Sequence, residues 1–505
     1  MYLQLIEKLL KQDKSSIMLV PEISLTPQMV DRFISRFGKE KIAVLHSKLS
    51  NGERFDEWER IRRGEAKIVI GARSAIFAPI QNLGIIIIDE EHDNSYKSDK
   101  NPRYNAKEIA KFIAKEKEIP LILGSATPDI SSYNKAINEG SVLLQLTKRA
   151  NNSKLPKVEI VDLREELMLG NKSIISRKLY GEIQKNIDEK KQTILFLNRR
   201  GYATFVICKD CGHTIKCKNC DITLTYHIKQ NKLKCHYCGY ETVGVRECPE
   251  CKSPNVKYFG TGTQRLEAEI NKLFPQASTI RMDIDTVGKK NSHEEILNKF
   301  KNENIDILIG TQMIVKGHHF PNVTLVGVIV ADGSLNVDDY RATEKTFQIL
   351  TQVAGRAGRG ENAGRVIIQT YNPDNYSIEF AKKQDYKLFY ETEILLRKQL
   401  KYPPFCDIVV IGVSSEKEIS VEKSTKILHK FLKDKIEQEN IPIILYPPLP
   451  APIDKIKNKT RWRIIVKCKL DDRLIVQLNQ MLEDFYAKKI ADVRVYVDVN
   501  PSSMN

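Results

Sequence analysis

Leu83-Gly84-Ile85-Ile86-Ile87-Ile88-Asp89-Glu90-Glu91-His92-Asp93 reads as an apolar run that ends in a knot of charge. Four consecutive isoleucines between a glycine and an acidic cluster suit a strand buried on both faces of a parallel sheet. In open α/β sheets the ligand crevice lies beyond the carboxyl ends of the strands, which is where Asp89, Glu90, Glu91 and His92 fall. An acidic pair there suits two tasks, holding the waters of a nucleotide-bound Mg²⁺ and polarising an attacking water. A solvated acidic turn after a core strand would look the same in isolation. The surrounding chain has to decide.

Working outward, the segments before and after this strand alternate. A helix from Tyr2 to near Lys14 precedes a strand at Ser16–Val20 and the stretch P-E-I-S-L-T-P-Q (21–28). A strand at Lys41–Leu45, a charged helix around Arg54–Arg63 and a strand at Lys67–Ile70 lead into G-A-R-S-A-I-F (71–77). Beyond the acidic strand, Leu121–Leu123 runs into G-S-A-T-P (124–128). Strands alternating with helices predict a parallel sheet covered by helices on both faces.

A second set begins with a strand at Thr193–Leu197 and N-R-R-G-Y (198–202). It continues with strands at Ser278–Met282, Ile305–Ile309 and Leu325–Val330, and closes with Arg365–Thr370. After Asn372 the pattern changes to a long helix (about Ser377–Leu400), Y-P-P-F, and then β-α-β-β-α-β to the end. That order predicts a ferredoxin-like split βαβ domain. Its Arg461, Trp462 and Arg463, with Lys455, Lys457 and Lys459, form either a basic surface for branched DNA or a packed tryptophan beside solvated lysines.

Eight of the ten cysteines crowd into Cys208–Cys251 as four C-x-x-C pairs: Cys208/Cys211, Cys217/Cys220, Cys235/Cys238 and Cys248/Cys251. Each pair offers two thiolates from one tight knuckle, and two knuckles complete a closed tetrahedral Zn²⁺ site. Two structural Cys₄ zinc sites are the expectation, favoured over an iron–sulfur cluster or redox dithiols; spacing alone leaves the pairing open. His213, His227 and His236 lie nearby and are expected on the surface, because the sulfurs already saturate both ions.

With 505 residues, the chain has room for about three domains, and 41% hydrophobic with 29% charged residues marks it as globular. The formal charge of +16 points to a polyanion partner, nucleic acid before membrane, although an AT-rich genome, which enriches Lys together with Ile and Asn, would also produce that bias. No apolar run approaches the roughly 18 residues of a membrane span, and the first residues do not resemble a secretion signal, so a cytoplasmic protein is expected.

The ordered set P-E-I-x-L-T-P-Q, G-A-R-S-A-I-F, I-I-D-E-E-H-D and G-S-A-T-P resembles the first motor lobe of the PriA family, the primosomal replication-restart helicases (primosomal protein N′) of helicase superfamily 2. The resemblance extends over essentially all of the chain. It implies two RecA-like parallel-sheet lobes, an inserted double-Cys₄ zinc module and a C-terminal ferredoxin-like α+β domain. The implied boundaries are 1–150 for lobe 1, 151–176 for the inter-lobe linker, 177–206 and 253–371 for lobe 2, 207–252 for the zinc insertion and 372–505 for the C-terminal domain.

The resemblance also assigns roles. Asp89 organises Mg²⁺, Glu90 activates water, and His92 links nucleotide state to the DNA side. Gly124, Ser125, Ala126 and Thr127 couple hydrolysis to strand movement. Gln352, Gly355, Arg356 and Arg359 form Q-x-x-G-R-x-x-R, with two arginines on one helical face for the γ-phosphate. Gly310, Thr311 and Gly317 in G-T-Q-M-I-V-K-G-H-H-F sense nucleotide and backbone. Tyr96, Lys97, Arg103, Tyr104 and Arg73 contact single-stranded DNA, where two tyrosine faces would each contribute about 1–3 kcal/mol of base stacking. A plain surface loop would carry the same residues. The implied zinc pairing is nested, Cys208, Cys211, Cys248 and Cys251 on one ion and Cys217, Cys220, Cys235 and Cys238 on the other.

By resemblance the activity is ATP-dependent 3′→5′ unwinding of DNA at stalled or abandoned forks, with ATP, Mg²⁺ and two Zn²⁺ as cofactors. The implied partners are branched and single-stranded DNA, primosome components, single-strand-binding protein and the loader of the replicative helicase, with the chain itself a monomer and no membrane involved. One departure is large: no G-x-x-x-x-G-K-[ST] phosphate loop occurs, and in the family it runs directly into a helix like Tyr2–Leu10. A fragment, a misplaced start codon and a decayed gene product all account for it. These 505 residues are therefore expected not to hydrolyse ATP, and a zinc-stabilised DNA-binding or scaffold protein without turnover is the alternative. The four C-x-x-C pairs between N-R-R-G-Y and the G-T-Q-M segment argue against a restriction or repair translocase of the same superfamily.

Overall fold

A computed structural model describes residues 1–22, 27–146, 155–197, 205–227, 230–259, 262–283, 286, 292–314, 320–357, 364–488, 490 and 492–504. They form two compact units, Met1–Leu143 and the described residues from Leu144 onward.

The first unit is built on five strands, β1 (Ser15–Leu19), β2 (Ile42–Leu45), β3 (Ile68–Gly71), β4 (Leu83–Ile88) and β5 (Leu121–Leu123). All pair in parallel, in the order β2-β3-β1-β4-β5. The acidic strand is therefore interior, and both of its faces are packed. Ile86 and Ile88 join one apolar cluster and Ile85 and Ile87 the other, with every one of the four at most 2% exposed. Helices Tyr2–Leu10 and Pro27–Phe37 border the second cluster, and helix Ala106–Glu116 the first. The helix Asn51–Arg62 begins on a capping box: Ser50 Oγ accepts from the Glu53 N–H at 3.3 Å and the Glu53 carboxylate from the Ser50 N–H at 2.8 Å.

In the second unit a parallel sheet of six contains β6 (Lys157–Asp162) and β7 (Gln192–Phe196). The zinc insertion contributes four short strands, β8 (Phe205–Cys208), β9 (Thr225–His227), β10 (Lys232–Lys234) and β11 (Glu241–Val243), and β12 (Val256–Phe259) returns antiparallel to β8. The parallel sheet is completed by β13 (Thr279–Met282), β14 (Ile307–Gly310), β15 (Val323–Val328) and β16 (Arg365–Thr370), in the order β13-β14-β7-β15-β16-β6. Both lobes thus have the RecA-like layering that the alternation predicts.

The stretch 151–176 is not only a linker. Its residues 157–162 form β6, which pairs along its whole length with β16, and Leu163 enters the lobe core. K-V-E-I-V-D is an edge strand too short to stand out beside the polar residues ahead of it. The long helix after Asn372 is also two helices, Tyr376–Lys383 and Tyr386–Gln399. Gln384 turns into the left-handed region (φ 53°) and Asp385 caps the second helix by accepting from the Leu388 N–H at 3.0 Å.

The C-terminal sheet comprises β17 (Asp407–Ser415), β18 (Ile444–Leu445), β19 (Leu449–Ile456), β20 (Lys459–Cys468) and β21 (Arg494–Val499). Its order β18-β20-β17-β21, antiparallel throughout, is that of a split βαβ, with β19 added beside β20. Three prolines in and before Leu449–Ala451 argue against a strand there, and β19 is tolerated because it lies on an edge with a break in register. Alternate residues of β17 serve two interiors. Val409, Ile411 and Val413 face helices Glu418–Glu439 and Asp472–Ala487, while Ile408 and Val410 pack with the cysteine module.

Arg397 ties these parts together from inside. It donates to Glu393 at 2.8 Å, to Glu344 at 2.6 Å and to the Pro403 carbonyl at 3.2 Å, with the three side chains only 3–4% exposed. Arg397→Ala would strand two buried carboxylates, and the expected cost is about 3–5 kcal/mol. Urea unfolding of the second unit should show the loss as an earlier midpoint; a wild-type midpoint would contradict it.

Candidate nucleotide site and metal centres

The charged end of β4 is fixed by backbone pairing before any side chain acts. The Asp89 N–H donates to Leu19 O at 3.0 Å, the Glu91 N–H to Gly124 O at 3.0 Å, and the Gly124 N–H to Ile88 O at 2.8 Å. The carboxyl ends of β1, β4 and β5 are thereby drawn together. From this platform the four polar side chains meet different surroundings.

Asp89 is largely buried, and burial pushes its carboxyl above the usual range. Its Oδ1 accepts from the Tyr2 hydroxyl at 3.2 Å, and burial together with Asp89 raises that phenol in turn. A Cβ at Gly124 would collide with the Tyr2 hydroxyl, which would have to leave its place on Asp89. Glu90 is partly exposed and sits at φ 46°, a left-handed conformation that costs a non-glycine residue energy, and its Oε2 lies 3.7 Å from His92 Nδ1. Glu91 by contrast is buried, 2% exposed. Its Oε1 accepts from the Asp129 N–H at 2.7 Å, and Oε2 from Lys107 Nζ at 2.9 Å and Ser132 Oγ at 2.9 Å. Burial by itself would lower the Lys107 ammonium, but Glu91 and Asp129 hold it above its ordinary value. His92 Nδ1 lies 2.7 Å from Ser125 Oγ, which accepts from the Thr127 N–H at 3.0 Å.

The sequence expectation thus brings Asp89, Glu90, His92, Gly124, Ser125, Ala126 and Thr127 into one site. It missed Tyr2, Lys107, Asp129 and Ser132. The only signal for Glu91 was an acidic residue more than the two tasks require.

The loop 93–105 departs from expectation. Tyr96 is 1% exposed, and its hydroxyl lies 2.5 Å from Asp89 O and 3.2 Å from Leu19 O. Lys97 is buried as well. Both side chains are therefore buried rather than displayed on the loop surface, as stacking on or pairing with a strand would need. Arg73 Nη1 donates to the carbonyls of Lys97 at 2.5 Å and Ser95 at 3.3 Å, so it braces the loop. Tyr104 is half-buried and meets the exposed Phe77 edge-on at 5.0 Å; Arg103 is half-buried too, and Lys100 is the loop's exposed basic residue.

In the second unit, Gly310 ends β14 and Thr311 is buried beside it; a Cβ on Gly310 would stand 2.8 Å from Met282 O. Helix Ala342–Ala354 ends at Gly355 and carries Gln352 in its last turn, followed by Arg356. Gly317 and Arg359 lie outside the described residues.

The eight cysteines separate into two clusters, Cys208, Cys211, Cys248, Cys251 and Cys217, Cys220, Cys235, Cys238, each with its sulfurs within 4.8 Å of one another. The nested pairing is the one observed. Sulfur–sulfur separations are 3.6 Å for Cys208–Cys251 and Cys211–Cys248, and 3.5 Å for Cys217–Cys238. A tetrahedral ion about 2.3 Å from each sulfur needs edges of about 3.8 Å, so both sets fit Zn²⁺ and leave no open coordination position. The histidines correct the expectation: His236 is 5% exposed, and its Nε2 lies 3.0 Å from Nε2 of the half-buried His227. Burial, reinforced by Arg463, pushes the His236 imidazole down to about 3, so it is neutral. Arg463 is equally not a DNA-facing residue; it is buried and donates to His236 O at 2.9 Å.

The two glutamates of the acidic motif are expected to behave oppositely on mutation. Glu91→Gln should destabilise the first unit by about 3–5 kcal/mol, since it leaves the Lys107 ammonium buried without its counter-ion, whereas Glu90→Gln should stay within about 0.5 kcal/mol of wild type. Urea titration of the two variants checks this.

Comparison with known proteins matches residues 1–136 to the DEAD/DEAH box helicase family and 217–242 to the PriA DNA helicase Cys-rich region. Residues 251–361 match the helicase conserved C-terminal domain, and 398–502 the primosomal protein N C-terminal domain. Replication restart protein PriA of Bacillus subtilis is 48% identical over 100% of this chain, which covers 62% of that protein. The Haemophilus influenzae protein of the same name is 37% identical, with 100% of this chain and 68% of that one covered. That of Borreliella burgdorferi is 36% identical, with 100% of this chain and 74% of that one covered. The chain spans about three-fifths of the length of its Bacillus and Synechocystis relatives, 62% and 61%. On motor lobes, cysteine module and C-terminal domain alike, the chain belongs to the family of the replication restart protein PriA.

Proposed function

We propose that the chain is the motor, zinc and C-terminal portion of an ATP-dependent 3′→5′ DNA helicase that restarts replication at stalled or abandoned forks. The observation that carries this reading is the division of labour at the end of β4. The Asp89 carboxyl is raised by burial with a phenol as its side-chain partner, Glu90 is partly exposed on a left-handed backbone, and His92 is tied to Ser125 in G-S-A-T.

In this reading Asp89 holds the nucleotide's Mg²⁺ and Glu90 aligns and polarises water. His92 and Ser125 pass the state of the site to the loop 124–128. Arg356 and Arg359 stabilise charge on the γ-phosphate, while Gln352, Gly310, Thr311 and Gly317 contact nucleotide or backbone. ATP and Mg²⁺ supply the phosphoryl group and its charge neutralisation. Tyr104 and Arg103 remain the loop's candidates for single-stranded DNA. Both zinc ions are structural, because each Cys₄ set is closed. Forked and single-stranded DNA are the substrates, and primosome components, single-strand-binding protein and the helicase loader the partners. The protein acts as a cytoplasmic monomer.

A second reading is favoured by one specific fact: the 505 residues contain no G-x-x-x-x-G-K-[ST] to cradle phosphates. By themselves they bind DNA without turning over ATP.

Two measurements test these statements. The purified 505-residue chain should bind forked DNA in a salt-sensitive manner and show no DNA-stimulated ATP hydrolysis; turnover that depends on Glu90 would refute the second reading. Fused behind a segment that supplies G-x-x-x-x-G-K-[ST], the chain should unwind forks 3′→5′, with Glu90→Gln lowering turnover about 10²–10⁴-fold. A fusion that hydrolyses ATP but never separates strands would overturn the helicase assignment.

A further inference from the structure

The two cysteine clusters have different surroundings. Cys251 is exposed and Cys211 partly so, and their cluster sits at the ends of the β8–β12 pair. In the other cluster Cys217, Cys220 and Cys235 are all buried, in an interior shared with Tyr402, Ile408, Val410 and Ile465.

Tyr237 stands within that inner knuckle, two residues after Cys235 and one before Cys238, and is wholly buried. Its hydroxyl accepts from the backbone N–H of Tyr340 at 3.3 Å. The Tyr340 ring stacks on Tyr402 at 4.8 Å with planes 6° apart, and Tyr402 meets Tyr237 edge-on at 6.5 Å. The Tyr402 hydroxyl donates to the carbonyl of Cys220, itself one of the four ligands, at 3.2 Å. Thr223, also on the inner knuckles, donates to Asn336 at 3.3 Å.

Tyr340 lies in Asn336–Arg341, the segment that feeds directly into helix Ala342–Ala354 and so towards Gln352 and Arg356. Asp339 strengthens the same junction by accepting from Arg341 Nε at 3.0 Å and Lys345 Nζ at 3.0 Å. The Tyr340 amide is thus held by a phenol whose own backbone is fixed on both sides by sulfur ligands. Nothing comparable links the outer cluster to this segment among the hydrogen bonds of the described residues.

We propose that the inner cluster, filled by zinc, is the fastener that positions Asn336–Arg341 and with it the start of the helix leading to Arg356. Tyr237 is the positioning residue that makes the connection, and the outer cluster has no part in it. The inference rests on the zinc reading of the Cys₄ sets, which metal analysis tests separately: a wild-type chain binding two zinc ions sustains that reading and one binding none ends it.

Amide hydrogen exchange on the whole 505-residue chain, resolved to peptides covering 336–345, tests the fastener itself. Tyr237→Phe should keep two zinc ions per chain yet speed exchange at Tyr340 and its neighbours about tenfold, as loss of a single hydrogen bond allows. Cys235→Ser should lose one zinc and speed the same amides, while Cys251→Ser should lose one zinc and leave them at wild-type rates. Unchanged exchange in a folded Tyr237→Phe chain would overturn the proposal, as would equal acceleration by Cys251→Ser. Should Cys235→Ser not fold, the other two variants decide.

Discussion

The first unit depends on a strand with no face in water. Ile85 to Ile88 are packed from both sides, so β4 has one permitted register, and a shift by a single residue would exchange the two apolar clusters it joins. The polar residues that follow inherit this fixity. Asp89 leaves the sheet where β1 and β5 also end, with Tyr2 from the first helix on its carboxylate and Tyr96 from its own loop on its carbonyl. Burial of the isoleucines is what lets three consecutive carboxylates stand in three different environments.

Those environments separate roles that the letters D-E-E do not. Asp89 faces a phenol, Glu90 stands partly exposed on a left-handed backbone beside His92, and Glu91 is buried as an anchor for Lys107 and the cap of the helix Ile130–Asn138. The carboxylate that does most to hold the unit together is therefore the one least available for chemistry. Tyr96 follows the same logic. An aromatic residue interleaved with lysines reads as a surface for stacking, yet its hydroxyl is used to tie the ends of β1 and β4.

Much of the architecture was legible because its signals are local. The isoleucine run, the alternation of strands with helices and the spacing of four C-x-x-C pairs each declare themselves within a few dozen residues. What escaped is set by partners distant in the chain. Glu91 gains its meaning from Lys107 and Ser132, His236 is buried by the C-terminal sheet that carries Arg463, and β6 is a strand only because β16 lies beside it two hundred residues later. The break at Gln384 and the proline-bearing edge strand β19 failed for a related reason: general propensities were outweighed by one permissive site each. Arg73, expected to contact single-stranded DNA, donates to backbone carbonyls of its own unit.

The alternation along β17 has a consequence for how such proteins diversify. Odd-numbered residues line the helical interior and even-numbered ones line the interior of the cysteine module, so a single strand is shared between two modules that look separable in a sequence alignment. A transplanted cysteine module would arrive without its matching wall, and drift in either module selects against drift in the other. Lineages are thus bound to inherit the pair as one recombination block, whatever happens to the first lobe.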